Sequence, residues 1–150
     1  MAKWLLKTEP SVYSYSDLQR DKKTVWDGVT SPWAMPYIRR VKPGDLAFIY
    51  HTGEEKQVMG IAEITSESYP DPKKGDDEYL QVFDIRAVRK LKNPVTLAQV
   101  KADKRFADSK LVRNPRLSVQ PVTDAMWNGI LQMSGMEAIT GFSKNGKKKK

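Results

Sequence analysis

The chain has 150 residues, of which 39% are hydrophobic and 29% charged, a composition that predicts one soluble globular domain. It contains no cysteine and one histidine, which excludes a disulfide framework, a thiolate metal site and a site built from several histidines. No apolar run approaches the roughly 20 residues of a membrane-spanning helix, and no secretory leader is predicted. We therefore expect no membrane partner.

The first part of the chain predicts short strands separated by turns. The segment KWLLKT at Lys3–Thr8 predicts a strand, and the capping-box spacing of Ser16 and Gln19 predicts a short helix that begins at Ser16. The segment TVWDGV predicts an extended stretch that turns at Gly28. A second helix is expected from Pro32, since proline is tolerated in the first turn of a helix.

The middle of the chain predicts two paired strands and then a long one. After the turn KPGD, the segment LAFIYH alternates, so that Phe48 and Tyr50 share one face and Ile49 and His51 the other. The segment QVMGIAEIT predicts the partner strand, in which Gly60 marks a bulge or a close approach. The segment EYLQVFDIRAVRKL predicts the long strand.

The last part predicts a helix, a late strand and a final helix. Thr96 and Gln99 form a capping box that opens a helix around LAQVKAD. RLSVQPV predicts a strand, and TDAMWNGILQM predicts an amphipathic helix with Trp127 and Ile130 facing inward. Short strands with helices between them, without a strand–helix–strand rhythm, predict an α+β fold: a mixed β-barrel with peripheral helices.

The positive charge is concentrated at the end of the chain. The formal net charge is +8, but five lysines lie among the last seven residues, and the remaining chain has 21 basic against 18 acidic residues, or +3. We predict a domain at residues 1–136 followed by a flexible basic tail at residues 137–150. Such a tail either attracts phosphate without sequence preference or aids solubility.

The inventory of catalytic groups is thin. The sequence contains no Gly-x-Ser-x-Gly elbow and no Gly-x-Gly-x-x-Gly loop. Gly141 begins a stretch with the glycine and lysine spacing of a phosphate-binding loop, but Lys148 stands where the magnesium-binding hydroxyl belongs. We predict no catalytic residue, no cofactor and no metal site. An enzyme that acts on a nucleotide-like small molecule, with His51 and a carboxylate as acid and base, is the alternative.

Five segments, in order along the chain, resemble the landmarks of the EVE-domain family. They are WLLKTEP (Trp4–Pro10), WDGV (Trp26–Val29), KPGDLAFIYHTG (Lys42–Gly53), GIAEI (Gly60–Ile64) and PRLSVQPV (Pro115–Val122). The resemblance implies a PUA-like fold, related to the YTH readers of methylated RNA and to SRA domains. It also implies a non-enzymatic module that binds DNA or RNA and reads a flipped, modified base, such as a modified cytosine.

The segment TVWDGVTSPWAM carries the candidate base pocket. A flipped base needs a flat apolar surface against its faces and hydrogen-bond partners at its edge, and here two tryptophans flank turn-forming and polar residues. The predicted pocket residues are Trp26, Asp27, Gly28, Val29, Thr30, Ser31, Trp33, Glu9, Tyr50 and His51. The family commonly has Arg-Asn where this chain has Thr30 and Ser31, so a cationic donor is lost beside the pocket.

Structural roles are open for several of these residues. Trp26 is equally compatible with the core, Trp33 with a helix–sheet contact and His51 with a buried structural histidine. The residues predicted to contact phosphate or to form the rim are Lys7, Arg39, Arg116 and Ser118, and solvated surface charge explains their sequence pattern as well. The expected protein is a monomer in the cytoplasm, associated with the nucleoid in a bacterium or nuclear in a eukaryote.

Overall fold

Seven strands and five α-helices are formed by residues 1–75 and 78–136, the part of the chain that the computed structural model describes. The strands are β1 (Lys3–Thr8), β2 (Lys23–Trp26), β3 (Leu46–His51), β4 (Gln57–Ile64), β5 (Tyr69–Pro70), β6 (Gln81–Thr96) and β7 (Val119–Pro121). The helices are α1 (Tyr15–Asp21), α2 (Met35–Ile38), α3 (Leu97–Ala102), α4 (Lys110–Arg113) and α5 (Asp124–Ser134). The predicted basic tail, residues 137–150, lies outside the described residues, as does the stretch that begins at Gly141.

The strands form one mixed sheet in the order β2-β6-β4-β3-β1-β7, and β5 pairs with β6 off this path. All neighbours are antiparallel except β1 and β3, which run parallel from Lys3 beside Leu46 to Thr8 beside His51. The sheet is strongly curled into a half-barrel, and its path ends at β2 and β7. The predicted α+β class, a PUA-like mixed β-barrel with peripheral helices, is confirmed.

Two predicted helix starts are wrong, by one residue for α1 and by three for α2. The capping box of α1 is formed by Ser14 and Asp17, whose side chains and backbone N–H groups bond reciprocally at 2.9 and 3.1 Å, and the helix begins at Tyr15. An aspartate therefore closes the box two residues earlier than the predicted pair. Helix α2 begins at Met35 rather than at Pro32, because the residues before it form a turn in which the Ser31 carbonyl accepts from the following N–H groups.

The alternation of the strands divides the core into two clusters. Leu6, Ile49 and Phe83 belong to the first cluster, which α1 and α2 cover, and the second is covered by α3, α4 and α5. In the second cluster the ring of Phe48 stacks on Trp127, with ring centroids 3.9 Å apart. Both faces of β3 are buried, so the predicted alternation places its apolar side chains alternately in the first and the second cluster. In the described part of the chain, no helix is long and apolar enough to cross a membrane.

A glycine in β4 fixes the position of α1 on the sheet. A Cβ atom at Gly60 would lie 2.3 Å from Cζ of Tyr15, so only glycine lets the tyrosine ring lie against the strand. The Tyr15 hydroxyl donates to the carbonyl of Ile61 at 2.7 Å, and the register of β4 shifts just before Gly60. The sequence predicted that Gly60 marks a bulge or a close approach, and the structure shows both.

The first strand is held at its start by a buried carboxylate. Asp45 accepts hydrogen bonds from the indole N–H of Trp4 at 2.9 Å and from the backbone N–H groups of Ala2 and Lys42, both at 3.0 Å. These bonds join β1 to the KPGD turn that precedes β3. They therefore fix the parallel register that carries the far end of β1, with Lys7 and Thr8, to the opening of the half-barrel.

Candidate functional site

A cleft of about 570 Å³ lies between the end of β1 and the segment that follows β2. Its lining consists of Lys7, Thr8, Glu9, Val12, Tyr13, residues 24–31 and Ser118. Since β2 is one end of the sheet path and the residue Ser118 leads into β7 at the other, the cleft occupies the opening of the half-barrel. Its volume lies within the range of about 300–1,000 Å³ that is typical of small-molecule sites.

Trp26 belongs both to the core and to the cleft. Its side chain is 7% exposed and packs in the first cluster, and Tyr13 lies edge-to-face against it with ring centroids 6.5 Å apart. The remaining exposed surface of Trp26 lines the cleft. Packing in the core therefore holds Trp26 in place, and we call the small part of its surface that lines the cleft the aromatic floor.

The turn after β2 lines one side of the cleft. Gly28 has a φ of +83°, and a Cβ atom built there would meet nothing within 4 Å, so the space beside it is open. Within the described chain, the backbone N–H groups of Gly28, Val29 and Thr30 donate no hydrogen bond. Asp27 also lines the cleft, and its carboxylate pairs with the ammonium of Lys73 at 3.4 Å. Free N–H groups beside an aromatic floor can donate to the edge of a planar ligand.

Lys7 connects the end of β1 to the segment that precedes β7. Its backbone N–H donates to the carbonyl of Ser118 at 3.0 Å, and its ammonium donates to the carbonyl of Pro115 at 2.7 Å. The ammonium also lies 5.7 Å from the centre of the Tyr50 ring. Burial lowers the pKa of Lys7 from 10.5 to about 8, because the charged form loses hydration there. The side chain of Lys7 is therefore positively charged at neutral pH, and it loses its proton as the pH rises through about 8.

Glu9 is exposed at the rim of the cleft. Its carboxylate accepts from the hydroxyl of Ser11 at 3.2 Å, and it lies against Gly53 in the loop after β3, where a Cβ atom would be 2.8 Å from Oε1. The β1 end, the loop after it and the β3–β4 loop therefore position this carboxylate together. Of the two carboxylates that line the cleft, Glu9 and Asp27, Glu9 is the one at the end of β1.

Tyr50 and His51 do not line the cleft, and their predicted place in the pocket is corrected. Tyr50 is buried in the second cluster. The Nε2 atom of His51 accepts from the backbone N–H of Tyr15 at 3.0 Å, and its Nδ1 lies 2.7 Å from a carboxylate oxygen of Glu55. Both ring nitrogens are thus used in contacts within the fold, because the side chain of His51 points to the start of α1.

Trp33 and Arg116 lie beside the cleft rather than in it, in a second depression of about 600 Å³ that we call the groove. The groove is lined by Trp33, Tyr37, Arg113, Asn114, Pro115, Arg116 and Leu117. Arg39 lines neither depression: its guanidinium donates to the carbonyl of Tyr79 at 2.7 Å and lies 5.0 Å from that ring. The structure thus brings together Lys7, Glu9, residues 26–31 and Ser118, and separates the other predicted residues from them.

Sequence reasoning missed five residues of the cleft. They are Thr8, Val12, Tyr13, Thr24 and Val25. Val12 is 79% exposed, and it stands with Tyr13 in the loop between Pro10 and α1, where no periodicity requires apolar side chains. The apolar side chains of this short polar loop could have indicated that it contributes to a binding site. Among residues 1–75 and 78–136, no group of three or more His, Cys, Asp or Glu side chains could hold a metal ion.

Comparisons with known proteins identify relatives over nearly the whole described chain. The family model described as EVE domain matches residues 2–133. Thymocyte nuclear protein 1 of Homo sapiens is 28% identical over 167 residues, which cover 89% of this chain and 74% of the human protein. The NMR structure of Rpa0253 from Rhodopseudomonas palustris is 43% identical, with a TM-score of 0.85 over 90% of this chain and 94% of that one. The crystal structure of human THYN1 protein in complex with DNA that contains 5-methylcytosine is 27% identical, with a TM-score of 0.84 over 91% of this chain and 99% of that one.

Proposed function

The chain belongs to the EVE-domain family, and from this membership we propose that it binds nucleic acid and holds one flipped, modified base in the cleft. The solved complex of its human relative with DNA containing 5-methylcytosine supports a modified cytosine as the base. In this proposal the protein is a non-enzymatic reader that acts as a monomer. The observation that carries it is the aromatic floor at Trp26 beside the backbone N–H groups of the Gly28–Thr30 turn, which donate to no residue that the structure describes.

The groups of the cleft complement the edge of cytosine. Cytosine offers an amino group as donor and two acceptors on the same edge. The carboxylate of Glu9 is able to accept from the amino group, and the free N–H groups at Gly28 and Val29 are able to donate to the acceptors. Stacking on an aromatic side chain contributes roughly 1–3 kcal/mol per base, which offsets part of the cost of a few kcal/mol for unstacking.

The position of His51 argues against the enzymatic alternative. A general base must lie within hydrogen-bond reach of the proton that it removes. His51 is buried, both of its ring nitrogens contact groups of the fold, and it does not line the cleft. The acid–base pair that the alternative requires therefore has no histidine available at the place where a base would bind.

Titration of labelled oligonucleotides with and without one modified cytosine tests the proposal. We expect tighter binding of the modified strand, and we expect Glu9→Gln to reduce this preference because the amide carries no charge. Glu67→Gln is the matched control, since Glu67 is an exposed carboxylate in the loop after β4. Equal affinity for both strands in the wild-type protein would reject a modified-base reader. Conversion of nucleosides during incubation, measured by chromatography, would favour the enzyme instead.

A further inference from the structure

The groove beside the cleft displays the most exposed aromatic ring of the described chain. Trp33 is 79% exposed. Its backbone is nevertheless held in place, because its N–H donates to the Ser31 hydroxyl at 3.1 Å and the Ser31 carbonyl accepts from Ala34 at 3.1 Å. A large apolar side chain that a hydrogen-bonded turn presents to water is typical of a contact surface.

The charge of the groove selects an anionic partner. Its ionisable residues other than Tyr37 are Arg113 and Arg116, and no carboxylate lines it. Arg113 pairs with Asp108 at 2.6 Å, whereas Arg116 forms no ion pair with any described residue. The guanidinium of Arg40 adds a further positive charge 5.5 Å from the ring of Tyr37. An exposed indole beside an unpaired guanidinium complements a base and a phosphate.

The groove lies beside the cleft, and the same two segments of the chain line both depressions. Ser31 lines the cleft and Trp33 lines the groove, two residues further along the same turn. On the opposite wall, Ser118 lines the cleft and Arg116 the groove. Two residues span at most about 7 Å of chain, which is short enough for consecutive nucleotides of one strand to occupy both depressions. Lys7 connects the two sites, since it lines the cleft and donates to the carbonyl of Pro115 in the groove.

We propose that the groove binds the nucleotide next to the one in the cleft. Trp33 stacks on the base of that nucleotide, and Arg116 contacts the phosphate that joins the two. This inference rests on the proposed function of the cleft. A base that stacks on the face of an exposed indole leaves the stack of its neighbours, which costs least in an unpaired strand, so we expect the ligand to be nucleic acid with at least two adjacent unpaired nucleotides.

Abasic substitution in a single-stranded oligonucleotide tests this site separately from the cleft. The modified cytosine marks the nucleotide that enters the cleft, and an abasic residue is placed on either side of it. We expect Trp33→Ala to weaken binding of the intact strand by about 5- to 150-fold, the range for removal of one stacked base. Trp33→Phe should retain most of the affinity. When the neighbouring base on the stacking side is absent, wild type and Trp33→Ala should bind equally.

The contribution of Arg116 is measured by the salt dependence of binding. Arg116→Gln should lower the affinity for all sequences and reduce the log–log salt slope by about 1. Arg89→Gln is the matched control, because Arg89 is an exposed arginine of β6 without an ion pair to any described residue. It should leave the slope unchanged.

The outcomes distinguish the two proposals. If wild-type protein prefers the modified strand but Trp33→Ala binds intact and abasic strands as wild type does, the groove inference is rejected and the cleft proposal stands. If Trp33→Ala weakens both strands equally, the tryptophan does not stack on the neighbouring base, and the inference is also rejected. If wild type shows no preference for the modified strand, the proposed function fails whatever the tryptophan does. Unchanged melting temperatures of all variants exclude a folding defect as the cause.

Discussion

The backbone N–H of Tyr15 donates to Nε2 of His51 across 36 residues of sequence, at 3.0 Å. Tyr15 is the first residue of α1, and the N–H groups of a first helical turn have no acceptor within the helix. His51 supplies that acceptor from the end of β3, while its other nitrogen contacts Glu55. The histidine therefore attaches α1 to the sheet and supports the loop that carries Tyr13 into the cleft.

Replacement of this histidine should affect stability and not recognition. His51→Ala leaves the buried N–H of Tyr15 without an acceptor, and we expect the free energy of unfolding to fall by about 1–3 kcal/mol. The affinity of the folded fraction for oligonucleotides should be unchanged. Urea denaturation and binding titrations measure the two effects. A loss of affinity in a variant of normal stability would instead place His51 in the binding site.

The two tryptophans of the TVWDGVTSPWAM segment should respond differently to truncation. Trp26 is 7% exposed and packs in the first cluster, so Trp26→Ala should lower stability by about 3–5 kcal/mol. Trp33 is 79% exposed, so Trp33→Ala should change stability by no more than about 0.5 kcal/mol. Thermal melts of both variants compare them directly. Equal destabilisation would contradict the division of the segment into a core residue and a surface residue.

The strand pattern was predictable because it depends on local alternation. In LAFIYH, neighbouring side chains point to opposite faces of any strand, so Phe48 and Ile49 had to lie in different clusters. Helix starts were less predictable. Ser14 and Ser16 both have a partner three residues later that is able to close a capping box, and the sequence does not determine which of them the chain uses.

The candidate site was predictable only in part, because burial is a property of the tertiary fold. Trp26 and Trp33 lie seven residues apart in one segment, and the pairing of β2 with β6 decides which one is covered. The contact between His51 and Tyr15 joins residues that are far apart in sequence, so no local pattern indicates it. The resemblance to a family pointed to Trp26–Val29, all of which line the cleft, but it did not separate the cleft from the groove.

Lys7 should make nucleic-acid binding sensitive to pH above neutrality. Burial lowers its pKa to about 8, and its charged form is the one that attracts phosphate. A bound phosphate raises that pKa again, so the contribution of Lys7 to affinity is complete below about pH 8 and declines as the pH rises through this value. Lys7→Met should bind more weakly at pH 7 and show a flatter profile between pH 7 and 10. Parallel profiles of the two proteins would contradict this role.

The lowered pKa of Lys7 should make the stability of the fold rise with pH, whereas the binding affinity falls. Its pKa is about 8 in the folded protein and 10.5 without burial, so between these values the unfolded chain binds more protons than the folded one. Stability relative to Lys7→Met should therefore rise with pH across this interval and be constant below it. Urea denaturation of both proteins from pH 7 to 10 measures the difference. A relative stability that falls over this range would show that the ammonium is not desolvated in the fold.

The turn at Gly28 provides a final test of edge recognition, with a control elsewhere in the chain. Gly28 and Gly135 have φ angles of +83° and +89°, and a Cβ atom would meet nothing within 4 Å at Gly28 and would make only ordinary contacts of 3.5 Å at Gly135. Alanine at either position should therefore lower stability mainly through backbone strain, by about 1–2 kcal/mol. Only Gly28→Ala should weaken binding of the modified strand, because the strain changes the geometry of the turn that lines the cleft. If Gly135→Ala lowers the affinity as much, the effect is one of stability, and the turn after β2 does not read the base.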